Sequence, residues 1–295
     1  MVLRSLVIAF TLIACALPAR AQDMPADYAT VMKTLGKQGD FKGGVLKVNI
    51  PRNDLTVSIA GAVVPTPLGF GGWVALAKGD HNMDVMMGDL VLTEDEVNPV
   101  MSAVLNAGLD VTALHNHFFL ETPRIYYMHV HGVGSAADLA TKIKPAIDLI
   151  GKNAASVAKG TGAALPTGLT TAKLASIVGQ EGEQTGPVYK ITIGRPDIDL
   201  REHGAKIDAR MGLNTWAAFA GSDADAVVAG DVAMKAGEVT RVLKALRGAG
   251  LQVVAIHHHM TTAEPTVYFL HYWGRGPAEQ LAKGVRAAVD MLGKS

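Results

Sequence analysis

Cysteine is almost missing from this chain. Cys15 is the only one in 295 residues, and it falls inside an apolar leader. Beyond it there is no thiol, which excludes disulfides, thiolate zinc ribbons, iron–sulfur clusters and cysteine nucleophiles. A metal could then be held only by histidine, carboxylate or backbone. Excess charge is missing too. Twenty-seven basic residues balance 27 acidic ones, so the electrostatic footprint of a nucleic-acid or anionic-membrane partner is absent. After residue 21 no apolar run is long enough for a transmembrane segment in the mature chain. Nucleophile elbow, phosphate loop and dinucleotide fingerprint are all lacking. What is present is a chain apolar enough, at 49 % hydrophobic residues, to bury a core.

The first residues read as a signal peptide, 1–21. Arg4 is a short positive start, Leu6 to Leu17 an apolar stretch, and Ala19-Arg20-Ala21 a small-x-small cleavage site before Gln22. The expected location is periplasmic or secreted. Leu12-Ile13-Ala14-Cys15 also has the form of a lipoprotein box, which would anchor the chain through Cys15. The apolar run continues past Cys15 and favours cleavage after Ala21.

The rest is a duplication. Trp73 matches Trp216, Arg52/Asp54 match Arg195/Asp197, Gly88-Asp89 match Gly230-Asp231 and Glu96 matches Glu238, at a shift of 142–143 residues. That places a first repeat at 22–151, a linker at 152–168 and a second repeat at 169–295. Within each repeat, Val- and Ile-rich runs bounded by Gly, Pro and Asn predict strands, in the first copy at 45–50, 55–64, 71–77 and 84–92. Thr93 and Glu96 have capping-box spacing and open a helix that stops at Ala107-Gly108. Strands at about 109–120 and 124–131 and a helix at about 135–151 follow. The expected fold class is α+β: two tandem copies of a β-β-β-β-α-β-β-α unit, mostly antiparallel sheet covered by helices.

Eight of the ten histidines sit in two matching stretches, 115–132 and 257–274. On a strand, residues two apart share a face, so His115 pairs with His117 and His129 with His131. A hairpin centred on Pro123 would set His117 across from His129 and His115 across from His131, at Cβ separations of about 4.5–5.5 Å. The second copy keeps His257, His259 and His271, puts Trp273 in place of His131, and turns His258 to the opposite face. The expectation is therefore a closed four-histidine site in one repeat and an open three-histidine site in the other. The bound cofactor would be a transition metal ion, zinc first, with copper, nickel or iron compatible with imidazole. A metal-free polar pocket for a small cell-envelope ligand, or a purely structural hydrogen-bond network, also accommodates the cluster.

Other residues are read from their neighbours. Glu121 follows His115-x-His117 at the spacing of half a cupin motif, but the second half is absent and Ala263 replaces it in the second copy. Glu121, Arg124, His258 and Trp273 are pocket candidates, and Glu264, beside Pro265, is the candidate general base if the open site is hydrolytic. Turn carboxylates are commonly just solvated. Asp89 and Asp231 read as turn-bonding residues, Arg52/Asp54 and Arg195/Asp197 as turn ion pairs, Trp73 and Trp216 as core, and Tyr126 and Tyr268 as facing away from the histidines.

Gly88-Asp-Leu-Val-Leu, Glu96, Ala113-Leu-His-Asn-His117, Pro123-Arg124 and His129 together resemble the LppY/LpqO family. These are exported bacterial proteins defined by a domain of unknown function. The resemblance implies an extracytoplasmic setting, sometimes as a lipoprotein, and repeats of the domain. It implies no activity. The second copy departs from it at Ile256-His-His-His259 and Thr266.

Overall fold

The computed structural model describes residues 23–153, 157–261 and 263–293. The leader, with Cys15, lies outside them. The first repeat runs α1 (Ala26–Leu35), β1 (Gly39–Lys42), β2 (Val45–Pro51), β3 (Val57–Ile59), β4 (Ala62–Val64), β5 (Gly71–Lys78), β6 (Asp84–Thr93), α2 (Glu94–Asn106), β7 (Asp110–His115), β8 (Glu121–Thr122), β9 (Ile125–Gly134) and α3 (Ala136–Leu149). After β10 (Ala163–Ala164) come α4 (Thr171–Val178), β11 (Gly182–Thr185), β12 (Val188–Gly194), β13 (Arg201–Glu202), β14 (Ala205–Lys206), β15 (Asn214–Gly221), β16 (Ala226–Lys235), α5 (Val239–Gly248), β17 (Gln252–His257), β18 (Val267–Gly276) and α6 (Ala278–Val289). The α+β class with largely antiparallel sheet holds. The run 55–64 is not one strand. It folds back at Ala60-Gly61, both with positive φ, the signature of a two-residue hairpin turn.

Each repeat builds a six-stranded sheet, β1-β2-β5-β6-β9-β7 and β11-β12-β15-β16-β18-β17. Every pairing within both is antiparallel. Strict alternation divides each sheet into two faces. Leu46, Val74, Leu76, Met86, Leu90, Met128 and Val130 form one core with the helices of the first repeat. Ile191, Phe219, Val228, Val232, Leu270 and Tyr272 do the same in the second. The opposite faces of the two sheets meet each other. Val45, Ala75 and Met87 pack with Leu200, Met211 and Phe269 in one inter-repeat core. Ile59, Phe70 and Tyr127 pack with Val188, Ala229 and Trp273 in another. The layers are helix, sheet, sheet, helix, with the two copies related by a pseudo-twofold axis.

Each repeat carries one buried arginine anchor. Arg52 is 1 % exposed; its guanidinium bonds Asp54, the carbonyl of Val91 and both oxygens of Glu96. Glu96 also accepts from the backbone of Thr93 and Gly151, so the capping residue and the turn ion pair are one network. Arg195 repeats it with Asp197, the Ala233 carbonyl and Glu238. Burial alone would push Glu238 up, but Arg195 and the N–H groups of Lys235 and Gly293 outweigh it and hold the carboxyl below its ordinary 4.5.

Breaking a buried charged network by removing one partner costs about 3–5 kcal/mol. Glu96→Ala is expected to lose about that much in urea unfolding, which equilibrium melts read directly. For Glu238 the depressed value means its contribution is whole above about pH 4.5 and is lost as pH falls through the folded value. The stability gap between wild type and Glu238→Gln should therefore shrink on acidification; a gap constant from pH 7 to pH 3 would contradict this.

Candidate metal centre between the repeats

Along β6 the inward residues read Met87, Asp89, Val91, and along β16 they read Ala229, Asp231, Ala233. Each polar residue therefore lies between the two inter-repeat cores. The histidines meet in that same middle band. His115 stands at the end of β7 and His117 just beyond it, with His129 on β9; His257, His259 and His271 occupy the matching places. All six are 9 % exposed or less.

They form one cluster, and the pseudo-twofold runs through it. The His115 and His257 rings stack at 3.8 Å between centroids. His117 lies 3.5 Å from His271, and its counterpart His259 lies 4.0 Å from His129. His117 stacks on Tyr127 at 3.2 Å as His259 stacks on Phe269 at 3.4 Å. The expected separate four-histidine and three-histidine sites are not what the structure brings together: six rings from both repeats form one cluster, and His131 is not in it. The register explains why. His115 faces Tyr127 across the ladder, Ala113 faces His129 and Asp110 faces His131. The chain after His115 does not turn tightly at Pro123. It leaves the sheet and lends β8 to β3. Each of the six therefore has ring neighbours in the other repeat as well as in its own.

His131 lies outside the cluster. Its Nε2 is 3.1 Å from Glu202 of the second repeat and its Nδ1 3.4 Å from Asp110. Burial opposes its proton, but Glu202 and Asp110 prevail and raise it above the ordinary value. Trp273, at the matching position, packs edge-on against Phe118 in an apolar core. His258 points away as expected, its Nδ1 3.2 Å from the Val267 carbonyl. Glu264 and Arg124 are exposed, so the candidate base does not reach the centre. Glu121 is buried and accepts from the Ile125 N–H; desolvation pushes it up to about 7. It braces the loop that carries His117 and is in none of the ligand groups.

The electrostatics of the cluster are those of neutral bases. Burial, and in every ring but His115 also the neighbouring imidazoles, drives the six rings below their ordinary value, His115 to about 4. The Nδ1 of His271 faces the Gly230 carbonyl at 3.3 Å. A carbonyl takes only an N–H, so Nε2 keeps its lone pair. The Nε2 atoms of all six rings are buried with no hydrogen-bond partner. Leaving such atoms unsatisfied costs roughly 1–3 kcal/mol each. Each neutral ring carries one lone-pair nitrogen, so the cluster offers several acceptors that a cation could bridge.

Three groups bring their ligand atoms within 4.8 Å of one another: His115/His117/His271, His115/His129/His257 and Asp231/His257/His259. Tetrahedral Zn–N bonds of about 2.0–2.1 Å set donors about 3.4 Å apart, so side-chain adjustments on the order of 1 Å close each group on an ion. The first and third groups share no residue. Asp231 is therefore a candidate ligand rather than a turn residue, with Oδ1 accepting from Leu270 N–H and Oδ2 4.0 Å from His259 Nε2. Asp89 has an unpartnered buried oxygen, and burial pushes it up to about 7.

A cavity of about 250 Å3 opens onto His117, His259 and His271. Its walls include Trp73, Trp216, Asp89 and Asp231, and also Lys47 and Lys190, which the sequence reading passed over. Their signal was present: they match at the same shift as the tryptophans. Trp73 and Trp216 pack against the inter-repeat cores and also wall this pocket. Tyr126 and Tyr268 face the outer cores as expected.

If both repeats build one centre, His117→Ala and His259→Ala should each weaken binding of the same metal pool, by at least about tenfold. His131→Ala should leave it unchanged. Competition with a chelator measures all three.

No curated protein matches the chain. Among solved structures it is similar to a trimeric bacterial microcompartment shell protein, PduB, at 11 % identity over 84 % of this chain and 87 % of that one, with a TM-score of 0.20. EtuB from Clostridium kluyveri is similar at 9 % identity over 85 % and 90 %, again at 0.20. Scores that low carry no argument about fold or function. The family described as Domain of Unknown Function (DUF1259) matches residues 29–149 and again 172–291. Those spans are the two halves of the sandwich, and the chain belongs to that family in two tandem copies.

Proposed function

We propose that this is an exported metal-binding protein whose two repeats jointly hold a transition metal ion, for storage, delivery or sensing. One observation carries the reading: six buried imidazoles present partnerless Nε2 atoms to one another across the repeat interface. His115, His117 and His271 on one side and Asp231, His257 and His259 on the other would hold the metal. Nitrogen and carboxylate donors without thiolate put zinc first, with copper, nickel and iron next. Export rests on the leader and its Ala19-Arg20-Ala21 site, and the LppY/LpqO assignment on the Ala-Leu-His-Asn-His segment. Amino-terminal sequencing of the exported protein should begin at Gln22.

Hydrolysis at a bound metal is the second reading. It is favoured by the cavity beside His117, His259 and His271, where Asp89 rather than Glu264 is placed to act as base. Metal analysis of untagged protein tests both. At least one equivalent of transition metal per chain is expected, and less than about 0.2 equivalents with no uptake on titration defeats both readings.

A further inference from the structure

We infer that the cavity beside the histidine centre is a binding site for a small oxyanion, phosphate or a short dicarboxylate, gripped by Lys47 and Lys190. The two lysines are pseudo-twofold mates on β2 and β12, and both line the same cavity. Each is aimed by its own repeat: Lys47 Nζ sits 4.3 Å from the Trp73 ring centre and Lys190 Nζ 4.2 Å from that of Trp216. An ammonium over an indole face is held by the ring quadrupole and keeps its remaining donors free. Among the described residues, neither has a carboxylate within ion-pairing distance. Burial disfavours the charge on both lysines, and Lys190 and Arg210 add to that at Lys47 while Asp89 opposes it; an anion bound in the shared cavity would favour both ammoniums.

The space sets the ligand's size. About 250 Å3 lies just below the roughly 300–1,000 Å3 of pockets that take drug-sized molecules. It suits a compact anion rather than a nucleotide or a peptide. Asp89 and Asp231 share the cavity and would oppose an anion if they stood ionised and alone. The inference therefore rests on the metal reading. A divalent ion on Asp231, His257 and His259 takes up carboxylate charge and adds positive charge, leaving the lysines for an exogenous anion.

Calorimetric titration of phosphate and of oxalate into metal-loaded protein tests this, with metal content measured first. About one anion per chain is expected. Lys47→Met and Lys190→Met keep the aliphatic stem on the indole; each should weaken binding by roughly tenfold, and the double variant should lose it while retaining the wild-type metal content. Undiminished binding by the double variant would put the anion on the metal alone and overturn the lysine assignment. So would the absence of saturable binding of either anion by loaded wild type up to millimolar concentrations. Failure to take up metal is seen before any anion is added, and counts against the metal reading.

Discussion

The constraint on which this structure turns is the burial of six neutral imidazoles between two sheets. Everything around them is ordinary: apolar faces outward toward helices, apolar cores above and below. Only in the middle band does the packing give way to lone pairs that face one another. A protein interior tolerates a polar group when it is paired. A transition metal ion, which accepts electron density from several bases at once, could fill that place, and three groups of side chains are arranged to hold one.

The arginine anchors and the histidine band divide the labour. Arg52 and Arg195 tie β2 and β12 to the start of a helix in their own repeat, so each half is a self-consistent unit of sheet and helices. The band belongs to neither half. Between them lie the short hairpins β3–β4 and β13–β14. Gly79 meets the His203 carbonyl so closely that a Cβ there would come within 2.4 Å of it. Each copy reaches over and seals one end of the shared interface.

Much of this was legible in the sequence. The duplication, the capping box at Thr93, the alternation that puts His129 and Tyr127 on one face and Tyr126 on the other, and the turned-away His258 all follow from local periodicity. The hairpin register did not follow. It was inferred from Pro123, whereas residues 116–124 form a loop whose short strand pairs with a distant hairpin, a non-local choice that no nearby residue announces. The centre was misdivided for the same reason. Spacing within a strand shows which histidines share a face, but nothing in it shows that the face meets its own copy. Lys47 and Lys190 were passed over because a lone lysine on a strand looks like a solvated edge until the opposing sheet is in place.

Position 131 and its mate at 273 show what a covalent link between copies permits. In the first repeat the position holds a histidine bound to Glu202 of the other half; in the second it holds a tryptophan sunk in an apolar core. Two separate identical chains docked about a true axis would have to use the same residue in both places. A chain with a single copy of this unit could complete the six histidines only by such docking. It would carry twice over any compromise the axis imposes. Fusion makes assembly of the centre independent of protein concentration and lets the two ends of the interface specialise separately while the ligands on the axis stay matched.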